Sequence, residues 1–283
     1  MTNRTKTNKR HIVNRNSVVH MEIGTFARNN DQIKNALKHD PDFIDLRMDL
    51  AHSIVFSEAT QDLNDAGVPC TLHLPSHPDW KPMDLSQGIV PFIDIAADIE
   101  AELVTIHSTL STLMYSDDDI DTFLDAVHLA VDAAENKGIP IAVETLGLYY
   151  TELTLLFDSQ PSMQLCLDIG HGQIMAHRNR ALGHIDSFFD RIAMVNVHDN
   201  HGEKMIAEVL EEREKRRVSR EEIRELANRY DKHLPIGEGS IDFEPIFREL
   251  KERHYDGRFL MMCADPSKFP EEREKFMDLW LSA

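Results

Sequence analysis

Short runs rich in β-branched and aliphatic residues recur eight times along this chain, with helical patterns between them. That alternation limits the fold more than any other feature. The strand candidates are Val18–Ile23, Phe43–Met48, Cys70–Leu74, Leu103–His107, Ile139–Glu144, Gln164–Asp168, Ile192–His198 and Arg258–Cys263. Helix signals fill the gaps. After Ser116 or an early Asp as cap, apolar residues recur at Ile120, Phe123, Leu124, Val127 and Val131, and Lys137-Gly138 close the pattern. In "VSREEIREL", Ser219 and Glu222 form a capping box, with Val218 and Ile223 spaced as a hydrophobic staple.

Strands alternating with helices feed a parallel sheet. Eight such units in about 250 residues is the period of an α/β fold of the (β/α)8 TIM barrel type. A doubly wound sheet would have fewer strands and a glycine-rich phosphate loop after the first, and this sequence has no such loop. No Pro-, Gly- or Ser-rich linker divides the chain. The expectation is a polar, disordered tail over 1–15 and a single barrel over 16–283. The charged stretch at 203–230 reads as a solvated helical insertion between strands seven and eight; a lid or an oligomer contact is the alternative.

Composition narrows the partners. The 283 residues carry a formal charge of −19, which repels phosphate backbones and argues against nucleic acid. No run approaches the roughly 18 apolar residues of a membrane span. The three cysteines, Cys70, Cys166 and Cys263, lie in apolar strand-like stretches and are odd in number. They read as buried free thiols of a cytoplasmic protein. A small-molecule substrate is expected, in a monomer or a homo-oligomer.

The C-terminal strand ends of such a barrel converge on one face, where active sites sit. Here strand three ends in His73, strand four in His107, strand five in Glu144 and strand six in Asp168, with His171 just beyond. Strand seven ends in His198, and Asp231 and His233 follow in the loop "YDKHLPIGEGSIDF". A lone strand-end histidine is ordinary structure. Consecutive strands ending in imidazole or carboxylate form a ligand set for a borderline or hard divalent cation such as Zn²⁺ or Mn²⁺. Trp80, Tyr149 and Lys232 are candidate substrate contacts in neighbouring loops.

The segments "LHLP", "VET", "CLDIGHG", "VNVHDN" and "DKHLPIGEGSIDF", in this order, resemble the xylose isomerase-like TIM barrels. That superfamily holds sugar and sugar-phosphate isomerases and epimerases, and the apurinic endonucleases of the endonuclease IV type (AP endonuclease family 2). By resemblance to the endonuclease branch, one zinc would take His73, His107 and Glu144. A second would take Glu144, Asp168 and His198, and a third His171, Asp231 and His233. The isomerase branch implies one ion on Glu144, Asp168, His198 and a glutamate ending strand eight. In its epimerases the strand-five and strand-eight glutamates move the proton. In this sequence Met262 stands at that last position, with Asp265 three residues further on. A thioether is a poor ligand for these ions and cannot act as a base.

Three functions follow. The first is a metal-dependent isomerase or epimerase of a small sugar or sugar phosphate, with Glu144 and His198 as catalytic residues. The second is a metal-dependent phosphoric ester hydrolase acting on a small ester. The third is a non-catalytic metal- or ligand-binding barrel.

Overall fold

The computed structural model describes residues 12–14, 17–19, 21–49, 52–77 and 80–283. Eight parallel strands close into a barrel: β1 Glu22–Ala27, β2 Ile44–Arg47, β3 Cys70–His73, β4 Val104–Ile106, β5 Ile141–Glu144, β6 Gln164–Asp168, β7 Ile192–Val197 and β8 Arg258–Met261. Each strand pairs with its neighbours in sequence, and β8 closes on β1 through Arg258 opposite Glu22 and Met261 opposite Thr25. A short antiparallel pair, Ile12–Asn14 with Ser17–Val19, precedes the barrel.

The expected first strand, Val18–Ile23, is therefore misplaced toward the N-terminus. The barrel strand runs on through Gly24, which looks like a strand breaker in sequence. Its conformation is ordinary; its lack of a side chain is what matters. A β-carbon on Gly24 would lie 2.6 Å from the Phe43 ring. Phe43 and Phe26, with Leu103, Cys166, Leu260 and Met262, form an apolar cluster that also takes in Ala142 and Met194. The tail expected over 1–15 lies outside the described residues except for 12–14, which are paired.

The outer layer comprises α1 Asn30–Leu37, α2 Phe56–Ala66, α3 Val90–Asp98, α4 Asp117–Lys137, α5 Tyr150–Ser159, α6 Ile169–Gln173, α7 Ala181–Phe188, α8 Gly202–Lys215, α9 Arg220–Tyr230, α10 Glu244–Glu252 and α11 Phe269–Ser282. Local chemistry sets their ends. Ser116 and Asp119 make a reciprocal capping box on α4, and Gly138 ends it in the left-handed region at φ +70°. Ser219 and Glu222 do the same at the start of α9. The charged stretch after β7 forms α8 and α9, which pack through Met205, Val209, Ile223 and Leu226 onto Met114 and Ile174. None of the helices among the described residues is long and apolar enough to cross a membrane. The three cysteines are buried and unpaired, as expected.

Gly24→Ala should lower the unfolding free energy by about 1–3 kcal/mol, the cost of overpacking a filled core. The midpoint of guanidinium unfolding measures it. An unchanged midpoint would mean that the Phe43 ring moves aside freely.

Candidate metal centre

Six of the eight expected ligand residues, His73, His107, Glu144, Asp168, His171 and His198, cluster at the C-terminal ends of β3 to β7, and Asp231 and His233 join them from the end of α9 and the loop after it. The Glu144 carboxylate is the hub. His107 Nε2 and His171 Nδ1 lie 3.1 and 3.2 Å from its Oε1, and His73 Nε2 lies 3.6 Å from its Oε2. His198 Nε2 meets Asp168 Oδ1 at 3.0 Å, and His171 Nε2 meets Asp231 Oδ2 at 3.1 Å. The His198 and His233 rings stack 3.8 Å apart, 6° from parallel.

The local sequence explains this convergence. Asp168 caps α6 by accepting the His171 N–H at 2.7 Å, so one carboxylate ends the strand and fixes the imidazole three residues on. The glycine between them is obligatory, because a β-carbon on Gly170 would sit 2.0 Å from the His198 ring. Asp231 is the C-cap of α9. Asp231 and His233 converge, with His233 Nε2 3.3 Å from Asp231 Oδ2. His233 adopts φ +47°, a strained conformation for a residue with a side chain.

Asp199, which the sequence placed only beside His198, organises that loop. Its Oδ2 accepts the N–H groups of Gly237 and Gly239, both at 3.0 Å, and its Oδ1 accepts those of Asn200 and Ile241 at 2.9 and 3.1 Å. The segment "IGEGSI" thus wraps a buried carboxylate, and a β-carbon on Gly239 would strike it at 2.1 Å. Asn196 was also missed. Its Nδ2 donates to Glu144 Oε2 at 2.9 Å and to Asp168 Oδ2 at 3.1 Å, tying the two carboxylates together. The signal was present: Asn196 is two residues before His198 in a strand, hence on the same face. Arg47 shares the buried mouth, its Nη1 donating to Met262 Sδ at 3.3 Å.

Electrostatics fit a cation site. Burial and the Arg47 charge push His73 down to about 4, leaving a neutral imidazole able to ligate. Burial opposes charge on His171, but the carboxylates of Asp168 and Asp231 outweigh it and push the group up to about 10. Burial likewise works against Glu144, yet His107, His73 and His171 hold its carboxyl well below the usual range. Several buried polar atoms here lack any hydrogen bond: His73 Nε2, His107 Nε2, Glu144 Oε1, His171 Nδ1, His198 Nδ1 and Asp231 Oδ1. The short distances to Glu144 Oε1 bring charges close without the alignment of a hydrogen bond. Each such orphan costs about 1–3 kcal/mol, so a collection of them is explained by an ion. Their ligating atoms form three groups: His73, His107 and Glu144; Glu144, Asp168 and His171; and His171, His198, Asp231 and His233. Imidazole with carboxylate suits zinc or manganese, so the residues fit the ions the sequence implied.

The expected substrate contacts are scattered. Lys232 is exposed between Asp231 and His233. Trp80 is half-buried against the apolar core. Tyr149 lies under Arg180, 4.6 Å from its guanidinium, and lines an open cleft of about 370 Å³ with Tyr150 and His184 that shares no residue with the three groups. Asp265 is exposed and caps the turn at Ser267, so it does not replace the missing strand-eight glutamate.

Asp199→Ala should strip four N–H groups of their acceptor and destabilise the protein by about 3 kcal/mol. It should also weaken ion binding at His233 while leaving His73 and His107 intact. A variant with unchanged melting and unchanged ion content would show that the loop holds its shape without the carboxylate.

A model of the xylose isomerase-like TIM barrels matches residues 33–279. Among solved structures, a D-tagatose 3-epimerase-like protein superposes with a TM-score of 0.67 at 19% identity, covering 93% of this chain and 99% of that one. A D-allulose 3-epimerase from Methylomonas sp., in complex with D-allulose, gives 0.64 at 15%, over 92% and 96%. An AP endonuclease, family 2, from Brucella melitensis gives 0.62 at 12%, over 91% and 98%. Two uncharacterized proteins of Methanocaldococcus jannaschii are 20% and 23% identical over 56% and 58% of this chain. The chain spans about half the length of these relatives, 54% and 52%. With most of its length matched and its strand-end residues gathered at one mouth, the chain belongs to the xylose isomerase-like TIM barrel family.

Proposed function

We propose that the protein is a divalent-metal-dependent hydrolase of a small phosphate ester. One observation carries the reading. Five imidazoles and three carboxylates converge in overlapping ion-binding groups, while β8 is followed by Met262, buried and bonded to Arg47. Epimerisation by two carboxylates needs a base at that position, and a thioether supplies none. Hydrolysis needs only clustered cations.

Bound ions would supply Lewis acidity, activating water and neutralising charge on phosphoryl oxygens. The protein's own part is orientation. His73, His107, Glu144, Asp168, His171, His198, Asp231 and His233 would hold the ions. Asn196 fixes the Glu144 and Asp168 carboxylates, and Asp231 braces His171. The His107 and His233 side chains are 21% and 23% exposed whereas His73 and His198 are fully buried, so substrate reaches the site from the His107–His233 side. Lys232, exposed between Asp231 and His233 in sequence, would meet an outer phosphate oxygen. In the reaction a water oxygen bonds to phosphorus, the ester P–O bond breaks, and the leaving oxygen takes a proton. The charge of −19 favours a small ester over DNA.

A second reading, isomerisation of a small sugar, is favoured by the likeness to a 3-epimerase holding D-allulose. Ion-loaded protein offered aryl phosphate mono- and diesters should release the phenol. The same protein offered a panel of ketoses in D₂O should incorporate no deuterium at carbon. Glu144→Ala should lower hydrolysis at least 100-fold and lose bound metal with it. Deuterium uptake without ester cleavage would overturn the hydrolase in favour of the isomerase. Inactivity toward both would leave a non-catalytic barrel.

A further inference from the structure

Arg47 is a permanent cation inside the barrel mouth. It ends β2 opposite His73 in register, is 5% exposed, and its Nε has no hydrogen-bond partner. Its Nη1 lies 3.7 Å from Asp45 Oδ2 and its Nε 3.7 Å from Asp49 Oδ2. Arg28 already holds Asp49 at 2.6 Å, and Thr71 donates to Asp45 at 2.6 Å. Burial disfavours the Arg47 charge, but Glu144, Asp45, Asp49 and Asp168 together outweigh it and keep the guanidinium firmly charged. Just past β8 it meets the neutral Met262 sulfur.

The three ligand groups differ in the residues they do not share. In the first, His73 Nε2 and His107 Nε2 are both without hydrogen bonds. In the third, the unshared His198 Nδ1 and Asp231 Oδ1 are likewise orphaned, while the shared atoms Glu144 Oε1 and His171 Nδ1, also without hydrogen bonds, lie 3.2 Å apart. The middle group owns only one residue, Asp168, that the others do not share. Asp168 is satisfied on both oxygens, by His171 N–H and His198 on Oδ1 and by Asn196 on Oδ2.

We infer that this chain holds two divalent ions, one on His73, His107 and Glu144 and one on His171, His198, Asp231 and His233, and that the Arg47 guanidinium, seated on Met262, supplies the positive charge that a third ion between Glu144 and Asp168 would bring. A glutamate at 262 would raise the local negative charge by one and add a hard ligand. Methionine removes both, and Arg47 adds a positive charge opposite. Three divalent ions plus a buried guanidinium would overcharge a mouth with so few carboxylates. This inference rests on the reading of the clusters as ion sites, and the count separates the two.

The test is elemental analysis of the full chain, purified without chelator, saturated with Zn²⁺ or Mn²⁺ and freed of excess by gel filtration. Two ions per chain are expected. His107→Ala and His233→Ala should each reduce the count to one. Met262→Glu alone should stay at two, its new carboxylate pairing with Arg47. The double variant Arg47→Met/Met262→Glu should rise to three. Three ions in the unaltered chain, or a third acquired by Met262→Glu alone, would overturn the role of Arg47 while leaving a metal-dependent protein. So would a folded double variant that stays at two. One ion would overturn the two-site assignment, and none would overturn the metal reading itself. Should the double variant fail to fold, the unaltered chain and the two histidine variants still decide the number.

Discussion

Two carboxylates that end adjacent strands, Glu144 and Asp168, are removed from water, and the rest of the mouth is arranged around that fact. A buried carboxylate without compensation costs several kcal/mol or stays protonated. Here neither outcome applies, because both groups are held below the usual carboxylate range by the imidazoles beside them. Asn196 adds a neutral bridge between them, and Arg47 a fixed charge beneath. Burial disfavours charge on His171 and His198, but the carboxylates beside them push both imidazoles upward, toward the protonated form. An ion arriving at these nitrogens must displace those protons, so affinity in this mouth is coupled to pH through the imidazoles.

The same economy of space governs the backbone. The apolar plug around Phe43 and Phe26 needs Gly24 to be bare, and the His198 ring needs Gly170 to be bare. Glycine in both places is dictated by what the next strand inserts. The loop from Asp231 to Ile241 has few apolar anchors of its own, and Asp199 takes their place by collecting four N–H groups. A carboxylate used in this way is structural, although it adjoins the candidate ligand His198.

The ring of strand ends was legible because each ligand type stands at the last position of an apolar run, where burial makes a charged group conspicuous. The capping boxes of α4 and α9 were legible because they are local. The first strand was not, since Val18–Ile23 has the better β composition and Gly24 the worse, and only the Phe43 ring reveals why the glycine belongs. Arg47 and Asn196 carry the period-two signal within their strands, but no local partner singles them out in the sequence. Their partners, Met262 and the Glu144–Asp168 pair, lie 215, 52 and 28 residues away. Tyr149 sat in the right loop, but the start of α5 turns it outward against Arg180.

Met262 bears on the chemistry open to this chain. The ligand groups draw on β3 to β7 and one loop, and Glu144 and His171 each serve two groups. Losing a donor at β8 therefore leaves the geometry of the others standing, because no remaining ligand depends on residue 262 for its position except through the His233 Nδ1 contact to the Met262 carbonyl at 3.0 Å. That contact is to the backbone and survives any side chain. What the methionine changes is charge and basicity. A glutamate there would add a second base at the mouth; with a thioether, the charged group beside residue 262 is the Arg47 guanidinium. Proton removal and return at a carbon centre calls for the first arrangement, and stabilising negative charge on a phosphoryl group calls for the second.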